Sequence, residues 1–220
     1  MPLLLELFSG TGSMGRAFRE LGWEVLSLDC DPTTGADVIG DIMEWEPPEG
    51  FRPDHVHASP PCTEFSRALT TRPRDLVKGL RPAERALELI RRLQPTSYSI
   101  ENPGTGLLPQ QAAFRELPFK LVTYCRFGFP YKKLTWVATD LGELWDPPPP
   151  CSARDPCKAK VGTRHPLTAQ RGTKRGKDGV CRGGAFSQTD LYAMPPQLCD
   201  EIAAAAALTL RVSSILESEE

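Results

Sequence analysis

The sequence has no apolar run long enough to cross a bilayer. Its opening, "MPLLLELF", has no basic stretch ahead of the apolar residues, is short, and is broken by Glu6, so it reads as a buried first strand rather than an export signal. It shows no internal repeat. It also lacks a disulfide framework: the seven cysteines are odd in number and scattered. That pattern points to a reduced compartment and a soluble intracellular chain with no membrane partner. The formal net charge is only −2, which on average speaks against a polyanionic partner.

What is present is enough for one sizeable core: 220 residues, 40% of them hydrophobic and 25% charged. The charge is unevenly placed. Residues 151–186 hold nine basic side chains against Asp155 and Asp178, a local excess of seven in an otherwise acidic chain. Local charge, not the mean, decides whether a polyanion is attracted.

Strand and helix patterns alternate along the chain. "LLLELF" is followed by a glycine-rich turn, then "SMGRAFRELG" with apolar residues at helical spacing, then "WEVLSLD" as a second strand. "DHVHAS", "SYSIEN", "FKLVTYC" and "LTWVATDL" read as further strands. Residues 82–94 form an amphipathic helix with Pro82 in its first turn, and "QQAAFREL" forms a short helix. The alanine-rich stretch at 195–212 reads as a terminal helix, followed by a frayed acidic end. The fold class is therefore α/β, a mostly parallel, Rossmann-like sheet. "DPPPPC" is a stiff boundary, and the basic stretch after it is a small irregular insertion. Three parts are expected: a core at 1–143, an insertion at 144–186, and a C-terminal helix at 187–220 packing back on the core.

Two stretches carry chemistry. In "ELFSGTGSMG", Gly10 and Gly12 permit a tight turn that lets a ligand approach the backbone and the helix N-terminus. Asp29 lies at the next strand end, about 20 residues on, where a carboxylate can accept from both hydroxyls of a ribose. Asp41 of "GDI" is either an adenine contact or a plain turn aspartate. In "ASPPCTEFS", Pro60 and Pro61 restrict the path that presents Cys62, which is more stiffness than a core thiol needs.

"FSGTG", "SPPCTEFS" and "IENP", in this order, resemble the motifs of the cytosine-C5 DNA methyltransferases. "FGFPYKKLTWVAT" and "LYAMPPQLCDEIAAA" resemble two further, looser motifs of that family, so that the resemblance covers about residues 3–140 and 187–210. It implies the methyltransferase form of the sheet, with helices on both faces. It implies S-adenosylmethionine as cofactor, held by Phe8, Ser9, Gly10, Thr11, Gly12, Asp29, Cys30, Asp41, Ile42 and Pro60. Cys62 would be the nucleophile toward C6 of a flipped cytosine in double-stranded DNA. Glu101 would bond the base edge and Asn102 would orient that region, with Ser66 and Lys133 completing the catalytic set. A mobile loop from Ser66 to about Arg81 would close over the base. Its Arg67, Arg72 and Arg74 are either phosphate contacts or a solvated face. Arg164, Arg171, Lys174 and Arg175 of the basic insertion would contact nucleic acid.

The sequence departs from the family pattern in three places. Pro103 follows Glu101–Asn102 where the family has valine. Lys133 and Thr135 stand where the family carries two arginines, and a threonine cannot replace a guanidinium. The stretch available for target recognition is short. It does hold Cys151, Cys157, His165 and Cys181, which could bind zinc, although loose thiols are common in a reduced compartment. "RHPLTAQRG" either belongs to that site or echoes another family motif. Cys30, Cys125, Cys199 and Trp136, taken singly, read as core or helix-face residues. The expected function is DNA cytosine-5 methyl transfer. RNA cytosine-5 methylation and an inactive nucleic-acid binder of the same fold are the alternatives.

Overall fold

The computed structural model describes residues 1–169, 174–175, 181–182 and 186–218. In chain order its strands and α-helices are β1 (Leu3–Leu7), α1 (Ser13–Glu20), β2 (Glu24–Asp29), β3 (Val38–Ile39), β4 (His55–Ala58), α2 (Leu76–Leu93), β5 (Ser97–Pro103), β6 (Phe119–Thr123), β7 (Tyr131–Lys132), β8 (Leu134–Thr139), β9 (Leu167–Thr168), β10 (Lys174–Arg175), β11 (Cys181–Arg182), α3 (Gln188–Tyr192) and α4 (Pro196–Ser218).

Seven strands make one sheet in the order β3-β2-β1-β4-β5-β8-β6. The strands from β3 to β5 run parallel, and β8 lies antiparallel between β5 and β6. The central strands β1, β4 and β5 are largely buried on both faces; β1 is a near-continuous apolar run, whereas β4 and β5 bury histidine and serine side chains. Side chains alternate between two cores. Leu4 joins Met14, Ala17 and Phe18 of α1 and Leu198, Ile202 and Ala206 of α4 on one face. Leu5 and Leu7 join Ala83, Ala86, Leu89 and Ile90 of α2 on the other. The expected sheet with helices on both faces is thus observed.

Several local expectations are corrected. α2 begins at Leu76, not near Pro82, because Asp75 caps it by accepting from the Lys78 N–H. Its early turn docks tightly: a Cβ on Gly79 would stand 2.7 Å from Glu64 Cβ. Pro82 therefore sits inside the helix, and the loop expected to run to Arg81 ends at Asp75. "QQAAFREL" forms no α-helix; a 3₁₀ turn at Leu108–Gln110 is followed by isolated turns. α4 runs on to Ser218. The basic stretch contributes β9, which pairs in parallel with β7 and so ties it to the core, and the hairpin of β10 and β11.

Candidate active site

The open ends of β1, β2, β4 and β5 surround a cavity of about 240 Å³, as expected where ligands bind parallel sheets. The turn after β1 forms one wall. Gly10 and Gly12 have φ of +50° and +63°, and Phe8, which is not glycine, has φ of +58°. A bulky residue held in the left-handed region is strained, and such strain gathers at binding sites. The Asp29 carboxylate fixes the turn, with Oδ2 accepting from the Gly10 N–H at 2.8 Å and Oδ1 from the Asp31 N–H at 2.9 Å. Each oxygen keeps a second lone pair for a ligand. Glu6 lines the same wall, and its Oε2 is buried without a partner. With the Asp29 and Glu101 carboxylates around it, the cavity suits a ligand that carries hydroxyl donors and positive charge.

Cys62 lines the opposite wall, after Pro60 and Pro61. The buried Asn102 side chain donates from Nδ2 to the Pro60 carbonyl at 2.9 Å, pinning the proline segment to β5. Beyond the thiol the chain turns at once, with the Phe65 and Ser66 N–H groups donating to the Cys62 carbonyl at 3.0 and 2.8 Å. Burial, and secondarily the Glu101 carboxylate, push the Cys62 thiol above its usual value, while Lys133 pulls the other way. The thiol is therefore protonated at neutral pH and needs activation to act as a nucleophile.

Glu101 is 8% exposed, and Oε1 accepts from the Tyr124 hydroxyl at 3.1 Å. Lys133 Nζ stands 3.6 Å from the same oxygen and 4.5 Å from the centre of the Tyr124 ring. Burial raises the Tyr124 phenol well above its normal range, so it stays a donor. Thr135 is fully buried with its hydroxyl beside that phenol. The trio holds the Glu101 carboxylate at the cavity with one oxygen largely engaged. Such a group can bond two adjacent nitrogens of a flat heterocycle.

Behind the cavity runs a ladder of buried side chains. His55 bridges Ser97 and Ser99 through Nδ1 and Nε2 at 2.7 and 3.0 Å, and His57 bridges Ser99 and Ser59 at 2.8 and 3.0 Å. Burial holds both histidines neutral, down to about 3, whereas burial raises Glu6 to about 7. The two effects have opposite signs. Unfolding lets the histidines take up protons below their usual 6.5, so their contribution is present above that pH and is lost as pH falls toward 3. Glu6 holds its proton in the fold and releases it on unfolding between its usual 4.5 and 7, so its contribution grows as pH falls. Denaturant midpoints should therefore drop more between pH 7.5 and 5 for Glu6→Gln than for the parent. An equal or smaller drop in the variant would show that Glu6 is ionised in the fold.

The cavity gathers Phe8, Ser9, Gly10, Thr11, Asp29, Cys30, Pro60, Cys62, Glu101 and Lys133 of the expected residues. Cys30 is exposed at the rim, so its reading as a core residue is corrected. Gly12 lines an adjoining, more open cavity of about 450 Å³. Asp41 is exposed and Ile42 belongs to the core, and neither lines the cavity that holds Cys62. Nor does Ser66, whose hydroxyl accepts from the Ala68 N–H. Arg67, Arg72, Arg74 and Arg164 are exposed. Arg72 pairs with Glu64, and Arg74 donates to the Ser66 carbonyl, so both brace the loop. Arg171 lies outside the described residues, as do the side chains of Lys174, Arg175 and Cys181. Cys125, expected in the core, is buried beside Cys151, Cys157 and His165. Sequence reasoning missed Tyr124, His57 and Ser59, and also Tyr192 and Met194, which line the cavity from the C-terminal part.

No protein-family model matches the chain. It is 31% identical over 222 aligned residues, covering 90% of this chain and 97% of the relative, to a protein of Frog virus 3 (isolate Goorha) described as "Probable DNA (cytosine-5)-methyltransferase". Among solved structures it is similar to a prophage-encoded E. coli protein described as a candidate DNA modification methyltransferase, with TM-score 0.50 and 16% identity over 63% of this chain and 46% of that one. A second is Spodoptera frugiperda DNMT2, with TM-score 0.44 and 19% identity over 63% of this chain and 49% of that one. The chain spans about half the length of these solved structures.

Proposed function

The chain belongs to the DNA cytosine-5 methyltransferases, and on that premise we propose that it methylates C5 of a flipped cytosine in double-stranded DNA through a covalent bond from Cys62. The observation that carries the reading is the joint presence of Cys62, Glu101 and Lys133 in one cavity with the strained turn after β1 and Asp29. The family uses S-adenosylmethionine, and the residues present fit it. The Asp29 and Glu101 carboxylates at the cavity suit a cationic ligand, and the free lone pairs of Asp29 suit a ribose. When bound, the cofactor supplies an electrophilic methyl group on a sulfonium.

The chain's own residues do the rest. Cytosine C5 is too weak a nucleophile to take the methyl group unaided. As the Cys62 Sγ–H bond breaks and Sγ bonds to C6, the proton is passed on by way of the Glu101 carboxyl to N3 of the base, which leaves C5 enamine-like. Glu101 accepts from the N4 amino group with one oxygen and shares a proton with N3 through the other, so that the negative charge built up as sulfur adds is neutralised at N3. Lys133 balances the Glu101 carboxylate, and Asn102 fixes the approach of Cys62 through Pro60. After methyl transfer, water takes the C5 proton, the C6–S bond breaks to restore the aromatic ring, and the departing Sγ takes back the proton held at N3. Residues 144–186 serve as the recognition segment. Exposed Arg67 and Arg164, with Arg171, Lys174 and Arg175 of the basic stretch, meet the phosphates. The loop arginines Arg72 and Arg74 keep that loop in shape instead.

The direct test is incubation of the purified chain with methyl-labelled cofactor and duplex DNA of varied sequence, followed by bisulfite mapping. Label should appear at cytosine C5 in a fixed sequence context. Matched RNA under the same salt should take up far less. Label in RNA alone would reassign the substrate, and a chain that binds duplex DNA but forms no adduct with it would be an inactive binder.

A further inference from the structure

Outside the methyl-transfer site, four ligating side chains converge. Cys125 sits on the 3₁₀ turn Tyr124–Phe127 that follows β6, whereas Cys151, Cys157 and His165 come from the basic segment. Their four ligand atoms lie within 4.8 Å of one another. His165 Nε2 is 3.2 Å from Cys157 Sγ and 3.9 Å from Cys151 Sγ. A tetrahedral zinc ion with bonds of about 2.3 Å to sulfur and about 2.0–2.1 Å to nitrogen sets its ligand atoms roughly 3.5–3.8 Å apart. We propose that Cys125, Cys151, Cys157 and His165 bind one zinc ion, which clasps residues 151–165 to the catalytic sheet.

Three observations support a bound ion over a chance meeting of thiols. First, this corner has little apolar burial to hold it. Its buried cluster consists of the three cysteines alone, with Ala159 partly buried against them. Burial of so few carbon atoms is too weak to fix a loop of this length, whereas a closed four-ligand zinc site contributes folding energy outright. Second, the surroundings offset a site of three thiolates and one divalent ion, whose net charge is −1. Lys132 Nζ donates to the Cys151 carbonyl at 2.7 Å and Lys160 Nζ donates to the Ser152 carbonyl at 2.9 Å, which brings two cations to the site, whereas Arg126, which donates to the Pro149 and Asp155 carbonyls, is already paired with the Asp155 carboxylate. Third, the Cys157 N–H donates to Cys151 Sγ at 3.3 Å, a bond that favours a thiolate and orients it.

The placement matters because Cys125 follows Tyr124, whose hydroxyl reaches Glu101, and Lys132 precedes Lys133. One short stretch of backbone on each side therefore carries both a clasp residue and an active-site residue. The set brings in Cys125, which lies 26 residues before the nearest other ligand in sequence, and the side chain of Cys181, the fourth ligand expected from the sequence, lies outside the described residues.

The proposal is independent of methyl transfer and is tested by metal itself. Protein expressed with zinc and purified under reductant without chelator should contain one zinc per chain by elemental analysis. Cobalt(II) added to the zinc-free chain should give the strong sulfur-to-metal absorption and visible bands of a tetrahedral thiolate site. Cys125→Ser and Cys157→Ser should each weaken cobalt binding by more than about 100-fold, since losses in the outer shell alone reach 10–100-fold. Cys62→Ser and Cys181→Ser should leave it unchanged. A zinc-free chain that gives no cobalt spectrum while its thiols react freely would overturn the proposal. So would loss of the spectrum in Cys181→Ser with retention in Cys125→Ser. The cobalt titration of the parent chain decides the matter even if a variant fails to fold.

Discussion

Cys62→Ser is expected to form no covalent complex with duplex DNA containing 5-fluorocytosine, under conditions in which the parent chain is trapped completely. Fluorine at C5 cannot leave as a proton does, so the final elimination is blocked and the sulfur stays bonded to C6. An enzyme that uses Cys62 in this way accumulates the adduct, and one that does not forms none. Turnover of ordinary DNA should fall by roughly 10⁴–10⁶-fold, the range seen when a nucleophile is removed. Serine is close in size to cysteine, and Cys62 is only partly buried, so the thermal midpoint should hold. Cofactor affinity should also hold, because Asp29 and the turn at residues 8–12 are untouched. If the serine variant is trapped as well as the parent, another group attacks the base. Loss of trapping together with loss of cofactor binding would instead indicate damage to the cavity.

How much of this site was visible in the sequence depends on how far apart its parts lie. The turn after β1 was legible because its causes are local: glycines at the left-handed positions, an amphipathic helix directly after, and an acid at the end of β2. Cys62 was legible because two prolines mark it. Tyr124 was not, because "FKLVTYC" reads as one strand. Only the break after Thr123 into a 3₁₀ turn swings the phenol toward Glu101, 23 residues away in sequence. Cys125 was missed as a companion of Cys151 for the same reason. The start of α2 was misplaced because Pro82 is the strongest local start signal, whereas the true start depends on Asp75 as cap and on Gly79 fitting against Glu64. Asn102 was expected to orient its region, but its particular partner, the Pro60 carbonyl, is set by the parallel pairing of β4 with β5.

Glu101→Gln tests whether the acid acts on the base, on the thiol, or on both. The amide is isosteric, and its oxygen can still accept from the Tyr124 hydroxyl, so the fold around β5 and β8 should survive. Turnover should fall by about 10²–10⁴, as is typical when a positioned acid or base is removed. A second readout concerns Cys62 alone, without DNA. The Glu101 carboxylate is one of the causes that hold this thiol above its usual value, and Lys133 opposes it. Removing the negative charge should therefore lower the pH midpoint of Cys62 alkylation by iodoacetamide, so that the thiol reacts faster at a fixed neutral pH. Lys133→Met should move the midpoint upward. A variant that alkylates faster yet methylates far more slowly would show that Glu101 is needed at the base edge, not to ionise the sulfur. Unchanged turnover in Glu101→Gln would remove this residue from the chemistry, whatever the thiol does. An unmoved alkylation midpoint in both variants would mean that the carboxylate and the ammonium neutralise one another before either is felt at Sγ.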